Sequence, residues 1–138
     1  LDQANPRRSI YLTVKRSNLI PILQLFDAPD AIQSIGHRDV TTVPPQALAL
    51  MNSPLARQLA EKFARRIYAS PETTSEQVVE QAFSLALSRS ATETEKKQMI
   101  EFISRQAVSY GDSDKAMNQA VIDYCQLMLC LNEFIFID

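Results

Sequence analysis

From Thr42 onward, apolar residues recur every three or four positions, the spacing that gathers them on one face of an α-helix. The first such segment opens at Thr42 or Val43 and runs to Met51. Its Pro44 and Pro45 fall in the first turn, where backbone N–H groups lack helical partners anyway. Asn52-Ser53-Pro54 then closes one helix and starts the next. Asn52 suits a left-handed C-terminal position, Ser53 an N-cap, and Pro54 the first helical position. The second helix carries a stripe of Leu55, Ala56, Leu59, Ala60, Phe63, Ala64, Ile67 and Tyr68, opposite a polar face holding Arg57, Glu61, Lys62, Arg65 and Arg66.

Thr73-x-x-Glu76 and Thr74-x-x-Gln77 are overlapping capping boxes for a third helix, with Val78, Val79, Ala82, Phe83 and Ala86 inward and an end near Arg89. Thr92-x-x-Glu95 repeats the signature for a fourth helix, which points Met99, Ile100, Ile103, Ala107 and Tyr110 inward before Gly111 stops it. The last helix, roughly Asp114 to Leu131, is apolar nearly all round and therefore belongs at the centre of a bundle.

Residues before Thr42 lack this rhythm and form an irregular arm punctuated by Pro6, Pro21, Pro29 and Gly36. Ile10–Val14 is β-prone, either a short strand or an extended segment laid on the bundle. Leu19–Phe26 makes a helical turn or two, with Pro21 in the first. The strand-like Phe134–Ile137 tail is too apolar to hang free and is expected to pack on the arm or on an upstream part of the parent protein. The expected fold is all-α: about five helices, an irregular N-terminal arm, and short strands at both ends. It forms one domain over residues 1–138, with the arm at 1–41 and the bundle at 42–138. With Leu1 in place of an initiator Met, the chain reads as the C-terminal domain of a larger protein.

Composition narrows the function classes. Of the 138 residues 46% are hydrophobic, enough for one core. A net charge of −2 gives no overall electrostatic reason to bind nucleic acid or an anionic membrane. Gly36 and Gly111 are the two glycines, and they stand too far apart for a Gly-rich phosphate loop. Val121–Ile137 is interrupted by Asp123, Gln126, Asn132 and Glu133, which argues against a membrane span. Cys125 and Cys130 lie five apart on one helix, point in different directions and cannot pair, so both read as structural thiols.

Several segments resemble a known family. They are Arg7-Arg8-Ser9-Ile10-Tyr11 with Lys15-Arg16, Phe26-Asp27-Ala28-Pro29-Asp30, and Arg38-x-x-Thr41-Thr42-x-Pro44-x-Gln46-Ala47-Leu48-x-Leu50-x-Asn52. Ala82-Phe83-x-Leu85-Ala86-Leu87-x-Arg89, Thr92-x-x-Glu95 and Asn132-Glu133-Phe134 follow in order. Together they are similar to the planctomycete domain of unknown function 1553. That resemblance implies a C-terminal position, an upstream companion domain, an exported parent, and frequent fusion to a cytochrome-c-like domain; it implies no known reaction. The chain departs from the family where Ser34-Ile35-Gly36-His37-Arg38 lacks a cysteine before the arginine. It also has Pro45 for a leucine, and Ser90-Ala91 where a proline is usual. The haem-attachment pattern C-x-x-C-H is missing from the sequence, so this domain is expected to carry no cofactor, with any haem elsewhere in the parent.

The candidate contact residues cluster in the arm: Arg7, Arg8, Lys15, Arg16, Asp27, Asp30, His37, Arg38, Thr42, Gln46 and Asn52. No catalytic residue and no metal ligand set is assigned. The single histidine, His37, stands in no nucleophile motif, and one His with two helical cysteines cannot make a four-ligand zinc site. Asp27 and Asp30 read first as turn formers, with Arg38 expected to pair with one of them and fix Gln46 at the head of its helix. Gln46 either presents an amide to a ligand or satisfies backbone groups of the arm. Two functions follow as expectations. The first is a non-catalytic accessory module that packs on an upstream domain of the same polypeptide. The alternative is half of a composite active site, redox or polysaccharide-related, completed upstream.

Overall fold

The computed structural model describes residues 11, 21–26, 36, 44–111 and 115–135. Among these the chain is all-α, with no strand. Its helices are α1 (Pro21–Leu25), α2 (Pro44–Asn52), α3 (Pro54–Ile67), α4 (Ser75–Leu87), α5 (Glu93–Ser109), α6 (Ala116–Leu129) and α7 (Asn132–Ile135). Two compact units divide the chain, Leu1–Ala49 and Leu50–Asp138.

Local sequence chemistry sets the helix starts in the second unit. The Ser53 hydroxyl accepts from the Ala56 N–H at the head of α3, with Pro54 at the first helical position. Thr74 with Gln77, and Thr92 with Glu95, close complete capping boxes on α4 and α5. Of the two overlapping boxes, the Thr74 one forms. α4 ends on Ser88, which takes the left-handed conformation at φ 56°, and Gly111 follows α5 at φ 75°.

α6 is the hub, packing against α3, α4, α5 and α7. Val121, Tyr124, Cys125 and Met128 on α6 are buried among Ile67 of α3, Val78, Val79 and Phe83 of α4, and Ile103 of α5. The Val, Ile, Phe and Met side chains among these each contribute about 1.5–3 kcal/mol through the apolar surface they remove from water. No helix among the described residues is long and apolar enough to cross a membrane.

Four expectations need correction. Phe134 and Ile135 are helical, in α7, not strand; both N–H groups donate to the Leu131 carbonyl. Their β-propensity has no neighbouring strand to act on. Asn52 does not take the left-handed position: it is the last residue of α2, and Ser88 is the non-glycine with positive φ among the described residues. Tyr110 is 43% exposed rather than inward. Arg57 is not on the solvent face but half-buried against α6. In the arm, Tyr11 is in a 3-10 turn and exposed, and the other residues of Ile10–Val14 lie outside the described residues.

Candidate functional site

Of the arm and motif residues singled out above, Gln46 and Asn52 can be placed. Gln46 is buried, and its Nε2 donates to the Leu25 carbonyl at 2.9 Å. Leu25 ends α1, where the last carbonyls have no partner inside the helix, so this amide satisfies one of them within the first unit. Asn52 is exposed. Arg7, Arg8, Lys15, Arg16, Asp27, Asp30, His37, Arg38 and Thr42 lie outside the described residues, as does the expected Arg38–aspartate pair.

The second unit has a site that the sequence reading did not assemble. Phe102 and Gln106 are one turn apart on α5; Asp123, Gln126, Leu127 and Cys130 follow helical spacing along one side of α6 and its C-cap. With Met51 from the last turn of α2 they line a cavity of about 350 Å³, a size typical of small-ligand sites.

A polar network fixes one edge of this cavity. Arg57 Nη1 donates to Asp123 Oδ1 at 2.6 Å and to Gln126 Oε1 at 3.1 Å. The Tyr110 hydroxyl donates to Asp123 Oδ2 at 2.7 Å, and Gln126 Nε2 donates to the Met51 carbonyl at 2.7 Å. The hydrogen bond to the Asp123 carboxylate, followed by desolvation, raises the Tyr110 pKa. Both Asp123 oxygens are therefore engaged and its charge is matched by Arg57. This edge holds helices in register. The signal in the sequence was that Asp123 and Gln126 interrupt an otherwise apolar helix three residues apart. Polar groups on such ground need partners.

A second cluster sits at Arg89. Its Nε and Nη2 donate to the two Glu133 oxygens at 2.6 and 2.8 Å. Nη2 and Nη1 donate to the Glu95 oxygens at 2.7 and 3.0 Å, and Nη1 also reaches the Ser90 carbonyl at 3.1 Å. All five guanidinium N–H groups are thereby used. The guanidinium carbon also lies 5.1 Å from the Phe83 ring centroid, within cation–π range. Arg89, supported first of all, and then Thr92 lower the Glu95 pKa to about 2; Arg89 likewise lowers that of Glu133. Three separate segments that carry the family resemblance, around Phe83–Arg89, Thr92–Glu95 and Glu133, meet in this one staple. Its role follows from its geometry: it ties α7 and the start of α5 to the end of α4.

Of the remaining reactive groups, Tyr124 and Cys125 are buried in the core and Cys130 is half-buried at the cavity wall. Desolvation pushes the Cys125 thiol up to about 12 and also raises Tyr124 and Cys130, so all three stay protonated at neutral pH. Both cysteines are free. Among the described residues, no group of His, Cys, Asp and Glu could hold a metal ion.

The second unit is thus a helical-bundle domain whose polar clusters fasten helices together beside an open cavity. The chain belongs to the family described as "Protein of unknown function (DUF1553)", whose model matches residues 2–103. No curated protein and no solved structure matches the chain.

Proposed function

We propose that this chain is a non-catalytic accessory module of a larger, exported, cytochrome-linked polypeptide, and that it packs against an upstream domain of that polypeptide. The exported and cytochrome-linked setting rests on the family resemblance; any haem sits elsewhere in the parent. The observation that carries the module reading is the α5–α6 cavity. Its walls are mainly apolar, and its charged edge is already neutralised by internal partners. A site of that chemistry suits binding better than acid–base work, which needs a group free to exchange a proton. Exposed Met51 at its edge adds the adaptable apolar contact common at protein interfaces.

Isothermal titration of this chain with the separately produced upstream region tests the reading. Saturable binding is expected, weakened at least tenfold by Met51→Asp at this exposed position. Absence of binding would count against the module. A reaction appearing only when the two parts are combined would replace it with the composite-active-site alternative.

A further inference from the structure

We infer that α7 is a strap that opens and recloses on its own while the bundle stays folded, with the Arg89–Glu133 pair as its clasp. The module reading plays no part in this, because the clasp belongs to the other polar cluster. No buried side chain anchors α7: it is four residues long, has no buried residue, and leaves Phe134 42% exposed. Its backbone adds little, since the Phe134 and Ile135 N–H groups share the Leu131 carbonyl as acceptor. A helix that short does not hold itself together in water. What remains is packing on α4 and α6, and the two bonds of 2.6 and 2.8 Å from Arg89 to Glu133.

The two jaws of this clasp differ. Arg89 is fixed on the bundle side: its guanidinium lies 5.1 Å from the Phe83 ring centroid, reaches the Ser90 carbonyl and grips Glu95. Glu95 is itself held by the N–H and the hydroxyl of Thr92, and it stands in a 17-residue helix. The Glu133 carboxylate has Arg89 as its single partner among the described residues, and its side chain is 48% exposed. Breaking that one pair frees α7 and leaves Arg89, Glu95 and Thr92 joined. The same geometry directs reclosing, because an arginine held by Phe83 and Glu95 keeps its Nε and Nη2 donors aimed where Glu133 returns. An exposed charge pair is screened by salt, so docking of the strap weakens with ionic strength while the apolar core holds.

The test is amide hydrogen exchange, with Cα chemical shifts, on the isotope-labelled 138-residue chain. After correction for intrinsic rates, the Phe134 and Ile135 amides should exchange at least about a hundredfold faster than those of Val121 and Cys125, and should not respond to low urea, as opening of one part alone requires. Raising NaCl from about 0.01 M to about 1 M shortens the screening length from about 30 Å to about 3 Å and should lower protection of Phe134 and Ile135 about threefold, with Val121 unchanged. Glu133→Gln should lower that protection about fivefold and move the Phe134 and Ile135 Cα shifts toward coil values. Arg89→Lys keeps the charge but cannot bond two carboxylates side-on, and it should loosen α7 in the same way. Loosening by Glu133→Gln without loosening by Arg89→Lys would show that Glu133 acts on the helix end alone, and the clasp would fall; salt-independent protection would have the same force. Exchange of Phe134 and Ile135 at the core rate, with the urea dependence of the core, would overturn the strap.

Discussion

Arg89 and Arg57 both hold carboxylates between helices of one bundle, yet they leave different surroundings. Arg89 uses every N–H it has, grips two glutamates side-on and lies against Phe83, so its cluster is closed on itself. Arg57 reaches Asp123 and Gln126 through one nitrogen, and the edge it fixes borders a cavity whose remaining wall is apolar. The difference separates two tasks that sequence motifs confound. A saturated arginine staple explains a segment's chemistry by the fold alone, whereas a rigid polar edge beside open apolar wall gives a ligand somewhere to dock.

The largest effect should come from the floor of the closed cluster. Phe83 is 2% exposed, and Phe83→Ala should cost about 3–5 kcal/mol of stability in chemical denaturation. Phe63 is only half-buried, so Phe63→Ala should cost clearly less; equal costs would mean that the Arg89 end contributes nothing beyond ordinary packing. Next in size, Arg57→Ala should cost about 1–2 kcal/mol, because it strands the Asp123 carboxylate beside α3. Lys62→Ala, exposed one turn further on, should cost under about 0.5 kcal/mol. A cost for Arg57 as small as that for Lys62 would dissolve the fixed edge.

The smallest effect is a pH dependence confined to the Arg89 cluster. Glu95 has a folded pKa lowered from the ordinary 4.5 to about 2. The stability it contributes is therefore fully present above about 4.5 and is lost as pH falls through about 2. Glu133 shifts in the same direction for the same cause. Thermal melts between those two values should show the native chain losing stability faster than Arg89→Ala, in which the carboxylates lack the cation that holds their pKa values down. Parallel curves would place the acid sensitivity elsewhere.

What could be read from the sequence was mostly local. Ser53, Thr74 and Thr92 cap their helices through bonds spanning three residues, and α6 is central because apolar residues cover most of its circumference. The misses were long-range or contextual. Arg57 sits at the border of its stripe, and a long side chain there can run inward to a partner 66 residues away. Arg89 and Glu133 were both visible as motif residues, but their pairing across 44 positions has no periodicity to announce it. The cavity draws lining residues from α2, α5 and α6, so no single segment carries its signature. The Phe134–Ile135 reading failed because β-propensity describes a fit to neighbouring strands, and this end of the chain packs among helices.

The central claim is that the α5–α6 face binds while the Arg89 cluster only fastens. Titrating the upstream region into the isotope-labelled chain, and mapping amide shifts by residue, tests both halves at once. The account predicts shifts at Met51, Phe102, Gln106 and Leu127, with Arg89, Glu95 and Glu133 unmoved. Shifts centred on Arg89 and Glu133, with the cavity residues silent, would contradict it.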